Sequence, residues 1–201
     1  MALSIAFDAD PRRMTVEEFF AWDGGGHQGK LELVDGIVRA QSYAGGGHGT
    51  IQSKLAFLIN DHFRRVGSKC RVGSEVGVIP RFDPKRNVRK PDLAVTCTPH
   101  SKGERAYPDP ILIVELLSPS NADDTWARGN WESIRACATV PSVIEILVVD
   151  SERVEVQVFR RDDKGMWPEP GETAGAGGSV RLASIDALIA VDDIYAGIAL
   201  A

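Results

Sequence analysis

Apolar and polar positions along this chain fall into short segments that switch between helical and extended periods. Met14-Thr15-Val16-Glu17-Glu18-Phe19-Phe20 opens like a short helix, with Thr15 as N-cap and Glu18 completing a capping box. Lys30 to Gln41 reads as two short strands around Asp35-Gly36, a strong hairpin signal. Gly45-Gly46-Gly47-His48-Gly49 reads as a flexible loop entering a helix, where Ile51, Leu55, Leu58 and Ile59 share one face and Gly67 marks the stop. Arg71 to Pro80 reads as a strand containing Glu75, followed by a polar turn from Arg81 to Arg89.

Two runs of branched apolar residues then read as buried strands, Pro91-Asp92-Leu93-Ala94-Val95 and Ile111 to Ser118, joined by a Pro- and charge-rich connection from Thr98 to Pro110. Trp126 to Ala138 is a helix candidate. Val143 to Val149 and Val154 to Phe159 form a hairpin whose second strand alternates valine with polar residues, the pattern of a half-exposed strand. A glycine-rich bridge, Gly171 to Gly178, leads to a C-terminal segment whose Ile, Leu and Val are expected to cover an edge of the core. There is no internal repeat, and the expected organisation is one domain over residues 14–200 after an extension of residues 1–13.

Each buried strand carries a carboxylate that an apolar strand should not want. An ionised carboxylate taken out of water without a partner costs several kcal/mol or becomes neutral. Asp92 at the start of one strand and Glu115 within its neighbour therefore ask for a shared cation, and a hard one suits oxygen ligands. Period-two geometry points Glu115 and Leu117 to one face and Leu116 to the other.

Composition narrows the picture. The chain has 201 residues, 43% hydrophobic, as expected of a soluble globule, and a formal charge of -5 that argues against nonspecific coating of nucleic acid. Nucleic-acid contact would be local, through Arg64-Arg65, Lys85-Arg86 with Arg89-Lys90, or Arg160-Arg161. Cys70, Cys97 and Cys137 form no CxxC pair, a pattern expected of thiols in a reducing compartment. No apolar run is long enough to span a membrane and no signal peptide is evident, so a cytoplasmic location is expected.

Pro91-Asp92 followed by Glu115 within a strand resembles the frame of the PD-(D/E)XK nuclease superfamily. More closely, the order Thr15-Val16-Glu17-Glu18-Phe19, Leu31-Glu32-Leu33-Val34-Asp35-Gly36, His48, Glu75, Pro91-Asp92 and Val114-Glu115-Leu116-Leu117-Ser118-Pro119-Ser120 is similar to that of the Uma-type restriction endonuclease family. Pro141-Ser142-Val143, Glu145 and the strand Ile146 to Asp150 extend the match. The resemblance implies an α/β (α+β) fold, a restriction-endonuclease-like mixed sheet flanked by helices. It also implies a metal-dependent endonuclease that hydrolyses phosphodiester bonds of DNA with Mg²⁺ or Mn²⁺, and a possible homodimer. It carries onto Asp92 and Glu115 as metal ligands, onto Glu75 as a further acidic ligand, and more weakly onto Glu32.

One departure stands out. The superfamily's lysine two places after the second acid falls at Leu117, and residues 118–140, where relatives supply a lysine from the next helix, contain none. Arg135, Arg128 and Lys90 are the cations left to steady charge growing on the phosphate. Plainer readings stand beside these roles. Asp92 could bind a backbone N–H, Glu115 could form a structural ion pair, and Glu75 could face solvent. Glu32 reads as exposed in its hairpin, and His48 is as readily a helix-start residue as a clamp on phosphate. The alternatives are a degenerate nuclease fold that binds nucleic acid without cutting, and a regulatory or assembly module.

Overall fold

Thr15 opens α1 (Val16–Ala21) through a reciprocal capping box, its side chain accepting from the Glu18 amide while the Glu18 carboxylate takes the Thr15 N–H at 2.7 Å. The computed structural model describes residues 13–27, 29–41, 45–117, 124–167 and 170–200. The hairpin β1 (Leu31–Val34) and β2 (Ile37–Ala40) turns at Asp35-Gly36, with φ of 51° and 82°. Both angles lie in the region a tight primed turn requires, and Gly36 enters it at no steric cost. The outer edge of β1 does not face water. Leu33 exchanges backbone hydrogen bonds with Val88, so the hairpin lies along the segment that leads into Asp92. All four residues of β1 are buried, Glu32 among them, which corrects the expectation of an exposed Glu32.

The glycines expected to form a loop instead make the first turn of α2 (Gly46–Val66), with Gly45 as N-cap. Of the predicted apolar face of α2, Ile51, Leu55 and Ile59 are buried and Leu58 is half-buried, Phe63 extends the buried stripe, and Gly67 ends the helix at φ 65°. The strand expected from Arg71 to Pro80 is shorter. β3 (Arg71–Ser74) stops before Glu75, which takes φ 53°.

A six-stranded sheet follows in the order β3-β4-β5-β6-β7-β8, using β4 (Leu93–Thr96), β5 (Pro110–Leu117), β6 (Glu145–Asp150), β7 (Glu155–Arg160) and β8 (Glu172–Gly175). Only β5 and β6 are parallel. A parallel pair needs a crossover, supplied by α3 (Asp124–Ala138), while the other neighbours are joined antiparallel. The sheet has two covered faces. Leu112, Val114 and Leu116 pack with Ile51, Leu55 and Ile59 of α2. Ile113 packs with Ile134 and Cys137 of α3, and Leu117 lies against the same cluster. The C-terminal hairpin β9 (Ser179–Leu182) and β10 (Ala187–Ala190), with α4 (Val191–Tyr195), completes the α2-side core, as the apolar C-terminal pattern predicts.

The cysteine expectation is corrected. Cys70 and Cys97, flanking the paired ends Arg71 and Thr96 of β3 and β4, form a disulfide, and Cys137 is a buried free thiol. The bond ties an edge strand to the sheet across a sequence separation of 27. A cross-link of that span stabilises by restricting the unfolded chain. Reduction of the purified protein should therefore lower unfolding free energy by about 2–4 kcal/mol in urea melts. The Cys70→Ser/Cys97→Ser variant should show the same loss and no response to reductant.

Candidate active site

The β4–β5 ladder pairs Leu93 with Val114, and one further step of that antiparallel register sets Asp92 opposite Glu115. Directly opposed residues share a face with Cβ atoms about 4.5–5.5 Å apart. Both are buried, at 5% and 4% exposure. Glu115 belongs to the α3 face of the sheet, because its neighbours Val114 and Leu116 occupy the α2 face, and Asp92 stands just before β4.

Three elements converge on the Asp92 carboxylate. Lys30, at the mouth of β1, places Nζ 3.1 Å from Oδ1, and His48, in the first turn of α2, places Nε2 3.3 Å from the same oxygen. The Leu116 N–H donates to Oδ2 at 2.8 Å, so the backbone bond that the sequence allowed for Asp92 is made here. Gln52, four residues after His48, donates to the Asp92 carbonyl at 2.8 Å and fixes the helix against the strand. Burial alone would raise the Asp92 pKa, but the His48 contact, the Lys30 charge and the Leu116 amide outweigh it and hold the carboxyl down at about 2.

Glu115 is in the opposite situation. Burial pushes its carboxyl up to about 8; Lys30 pulls it down, while Asp92 and Glu32 repel the ionised form. Ser133 of α3 donates to Oε1 at 3.1 Å, and no donor among the described residues reaches Oε2. The third acid, Glu32, accepts the Lys90 N–H at 2.7 Å and lies 3.6 Å from Arg89 Nη1. Arg89 is itself buried and reaches Glu132 of α3 at 3.1 Å, while Arg39 of β2 approaches the other Glu132 oxygen at 3.4 Å. This acid–base chain fastens the hairpin to α3 beside the carboxylate pair. Lys30 is held charged in this field: burial disfavours its ammonium, but Glu115, Asp92 and Glu32 together raise its pKa.

The remaining sequence-predicted residues lie elsewhere or approach differently. Glu75 is exposed, and its link to the pair is its N–H on the Asp92 carbonyl at 3.3 Å. Lys90 contributes its backbone amide to Glu32. Arg135 is exposed on α3, away from the face that presents Ser133. The side chain of Arg128, the motif residues Ser118-Pro119-Ser120 and most of the 1–13 extension lie outside the described residues. Two of the basic clusters are engaged within the fold. Arg64 and Arg65 both pair with Asp61, while Arg160 bridges Glu145 and Glu172 and Arg161 holds the Ala138 and Pro141 carbonyls. Lys85 and Arg86 are exposed. Lys30 and Ser133 are the site neighbours that sequence reasoning missed; for Lys30 the available signal was a lone lysine just before the Leu31-Glu32-Leu33 strand.

Residues 16–182, from α1 to the end of β9, match the Uma2 family model, described as "Putative restriction endonuclease". The chain belongs to the Uma2 family. An uncharacterized protein of Synechocystis sp., slr1290, is 30% identical over 188 residues, covering 93% of this chain and 94% of that protein. A crystal structure from Anabaena variabilis, titled as a putative nuclease belonging to DUF820, superposes with a TM-score of 0.62 at 17% identity. It covers 90% of this chain and 97% of that one, and shares the fold.

Whether this Uma2 site suits a divalent cation follows from its donors. No three His, Cys, Asp or Glu side chains among the described residues are clustered to enclose an ion. Mg²⁺ does not need such a cage, since it keeps several waters and is held through one or two carboxylates plus substrate phosphate oxygens. Two neighbouring carboxylates, one with an oxygen that no donor among the described residues reaches, fit that mode.

The raised Glu115 pKa has a testable sign. Its folded value near 8 exceeds the ordinary 4.5, so between those values the folded protein holds a proton that the unfolded chain has released. This contribution to stability is full below about pH 4.5 and is lost as pH rises through 8. In chelator, the melting temperature of the wild type should fall from pH 5.5 to pH 8 more steeply than that of Glu115→Gln. Parallel curves would show that Glu115 is not the group titrating.

Proposed function

We propose that this Uma2 protein is a Mg²⁺- or Mn²⁺-dependent endonuclease that hydrolyses phosphodiester bonds of DNA, with Asp92 and Glu115 holding the ion. The observation that carries the reading is the opposition of these two buried carboxylates across β4 and β5, next to a buried ammonium. A bound ion supplies Lewis acidity toward a phosphate oxygen and lowers the pKa of water. In the reaction, a water oxygen bonds to phosphorus as the bond to one ester oxygen breaks. One water proton ends on the leaving alcohol and the other on the new phosphate or in solvent. The chain's own residues set the stage for this step. The Leu116 amide fixes the rotation of Asp92, Ser133 fixes that of Glu115, and Gln52 locks α2 so that His48 stays against Asp92. With a net charge of -5, the protein engages nucleic acid locally, and Lys85 and Arg86 are exposed cations available for it. A homodimer, which would allow both strands to be cut, is part of the same proposal.

A second reading, binding without cutting, is supported by Leu117 at the position of the motif lysine. Incubation of plasmid, single-stranded DNA and RNA with Mg²⁺ or Mn²⁺ separates the two. Cleavage of plasmid is expected, and Asp92→Asn and Glu115→Gln should each reduce it by more than about 100-fold while leaving a folded protein. Binding without cleavage selects the second reading, and cleavage undiminished in both variants removes the site assignment.

Metal binding is checked separately. Calorimetric titration with Mn²⁺ should show heat that disappears in Asp92→Asn. Bound ion should also raise the melting temperature of the wild type by mass action. Equal heats for the two proteins would exclude a site shared by Asp92.

A further inference from the structure

The nuclease reading leaves one part of the chemistry without a residue: a donor for the charge that grows on the phosphate oxygens. Position 117 cannot supply it, because Leu117 packs into the apolar cluster under α3. Residues 118–140 contain no lysine, and Arg135 faces solvent. Lys90 lies next to Pro91-Asp92, but what it gives the site is its backbone amide on Glu32.

Lys30 is differently placed. Lys30 directly precedes β1, whose Leu33 exchanges backbone hydrogen bonds with Val88 a few residues before Asp92. From that position its side chain reaches the Asp92 carboxylate at 3.1 Å, with only 11% of it exposed. An ammonium carries three rotatable N–H donors. One meets Asp92 Oδ1, and no other acceptor among the described residues is within hydrogen-bond reach of the remaining two. As a stabilising device, a buried ion pair roughly breaks even against apolar packing. As a donor held where charge develops in a reaction, the same group is worth far more.

We infer that Lys30, carried in on the N-terminal hairpin, is the substrate-facing cation of this site and donates to a non-bridging oxygen of the scissile phosphodiester. The inference rests on the nuclease reading and adds to it a catalytic residue from a different part of the fold than the motif position on β5. Lys30 meets Asp92 Oδ1, so while it steadies the oxygens that gain charge it shares that carboxylate with any bound ion, and Glu115 Oε2 is the oxygen that no donor among the described residues takes. It also explains how Leu117 is tolerated: the space two residues after Glu115 is filled by packing, and the cation comes from the residue before β1.

The test is Lys30→Met, with Lys30→Gln as a milder replacement should the first fail to fold, and Lys30→Arg as the charge-retaining variant. Each is assayed on supercoiled plasmid at saturating Mn²⁺, with Mn²⁺ affinity measured by calorimetry and folding by thermal melts. The expected result is a fall in kcat on the order of 10²–10³-fold for Met or Gln, with partial recovery in Arg. Mn²⁺ should bind these variants at least as tightly as wild type, since a competing cation has left Asp92. Cleavage within threefold of wild type in Lys30→Met or Lys30→Gln overturns the inference. So does joint loss of Mn²⁺ binding and cleavage, which marks Lys30 as a support for Asp92. A wild type that cuts no substrate is a distinct result, which removes the nuclease reading and this inference with it.

Discussion

Two carboxylates held face to face out of water are the constraint on which this structure turns. Asp92 and Glu115 repel each other, and each loses hydration by being buried. The protein resolves this unevenly. Asp92 receives an ammonium, an imidazole and a backbone amide and stays ionised, while Glu115 receives a hydroxyl and is driven toward its neutral form. The pair is thus split into an occupied acid and an under-compensated one.

Much of the surrounding architecture serves that split. The first turn of α2 carries His48 to Asp92, its flanking glycines facing open space. The hairpin β1–β2 meets the segment before β4 at the Leu33–Val88 bridge, and from beside it Lys30 reaches Asp92 and Glu32 reaches the Lys90 amide. Arg89 then links Glu32 to Glu132 of α3, which couples the hairpin to the helix that supplies Ser133. Removing one member of such a buried charge chain leaves the others uncompensated, so its parts hold their positions jointly. The parallel β5–β6 pair, closed over by α3, keeps Glu115 on a covered face while its neighbours Val114 and Leu116 fill the opposite core.

How much of this was legible depends on how local the signal is. The capping box at Thr15, the Asp35-Gly36 turn, the α2 stripe and the alternation around Glu115 are all set by residues within a few positions of one another, and each appears where the pattern puts it. Glu32 was misjudged for a physical reason. A four-residue strand in a hairpin reads as half-exposed unless something covers its outer edge, and the covering segment, Val88 to Lys90, is more than fifty positions away. The disulfide was hidden in the same way: Cys70 and Cys97 become neighbours only through the β3–β4 pairing.

The sequence by itself determined the elements, the family to which the chain belongs, and the presence of two acids that apolar strands should reject, because periodicity and motif order are properties of the chain in one dimension. Tertiary structure alone decided what those acids meet. Lys30 is 62 residues from Asp92, and His48 and Ser133 come from two different helices. Nothing in local propensity carries such a convergence. It follows from strand register and helix docking, which are fixed by burying apolar faces throughout the fold, and the charges arrive at the site as a consequence of that packing.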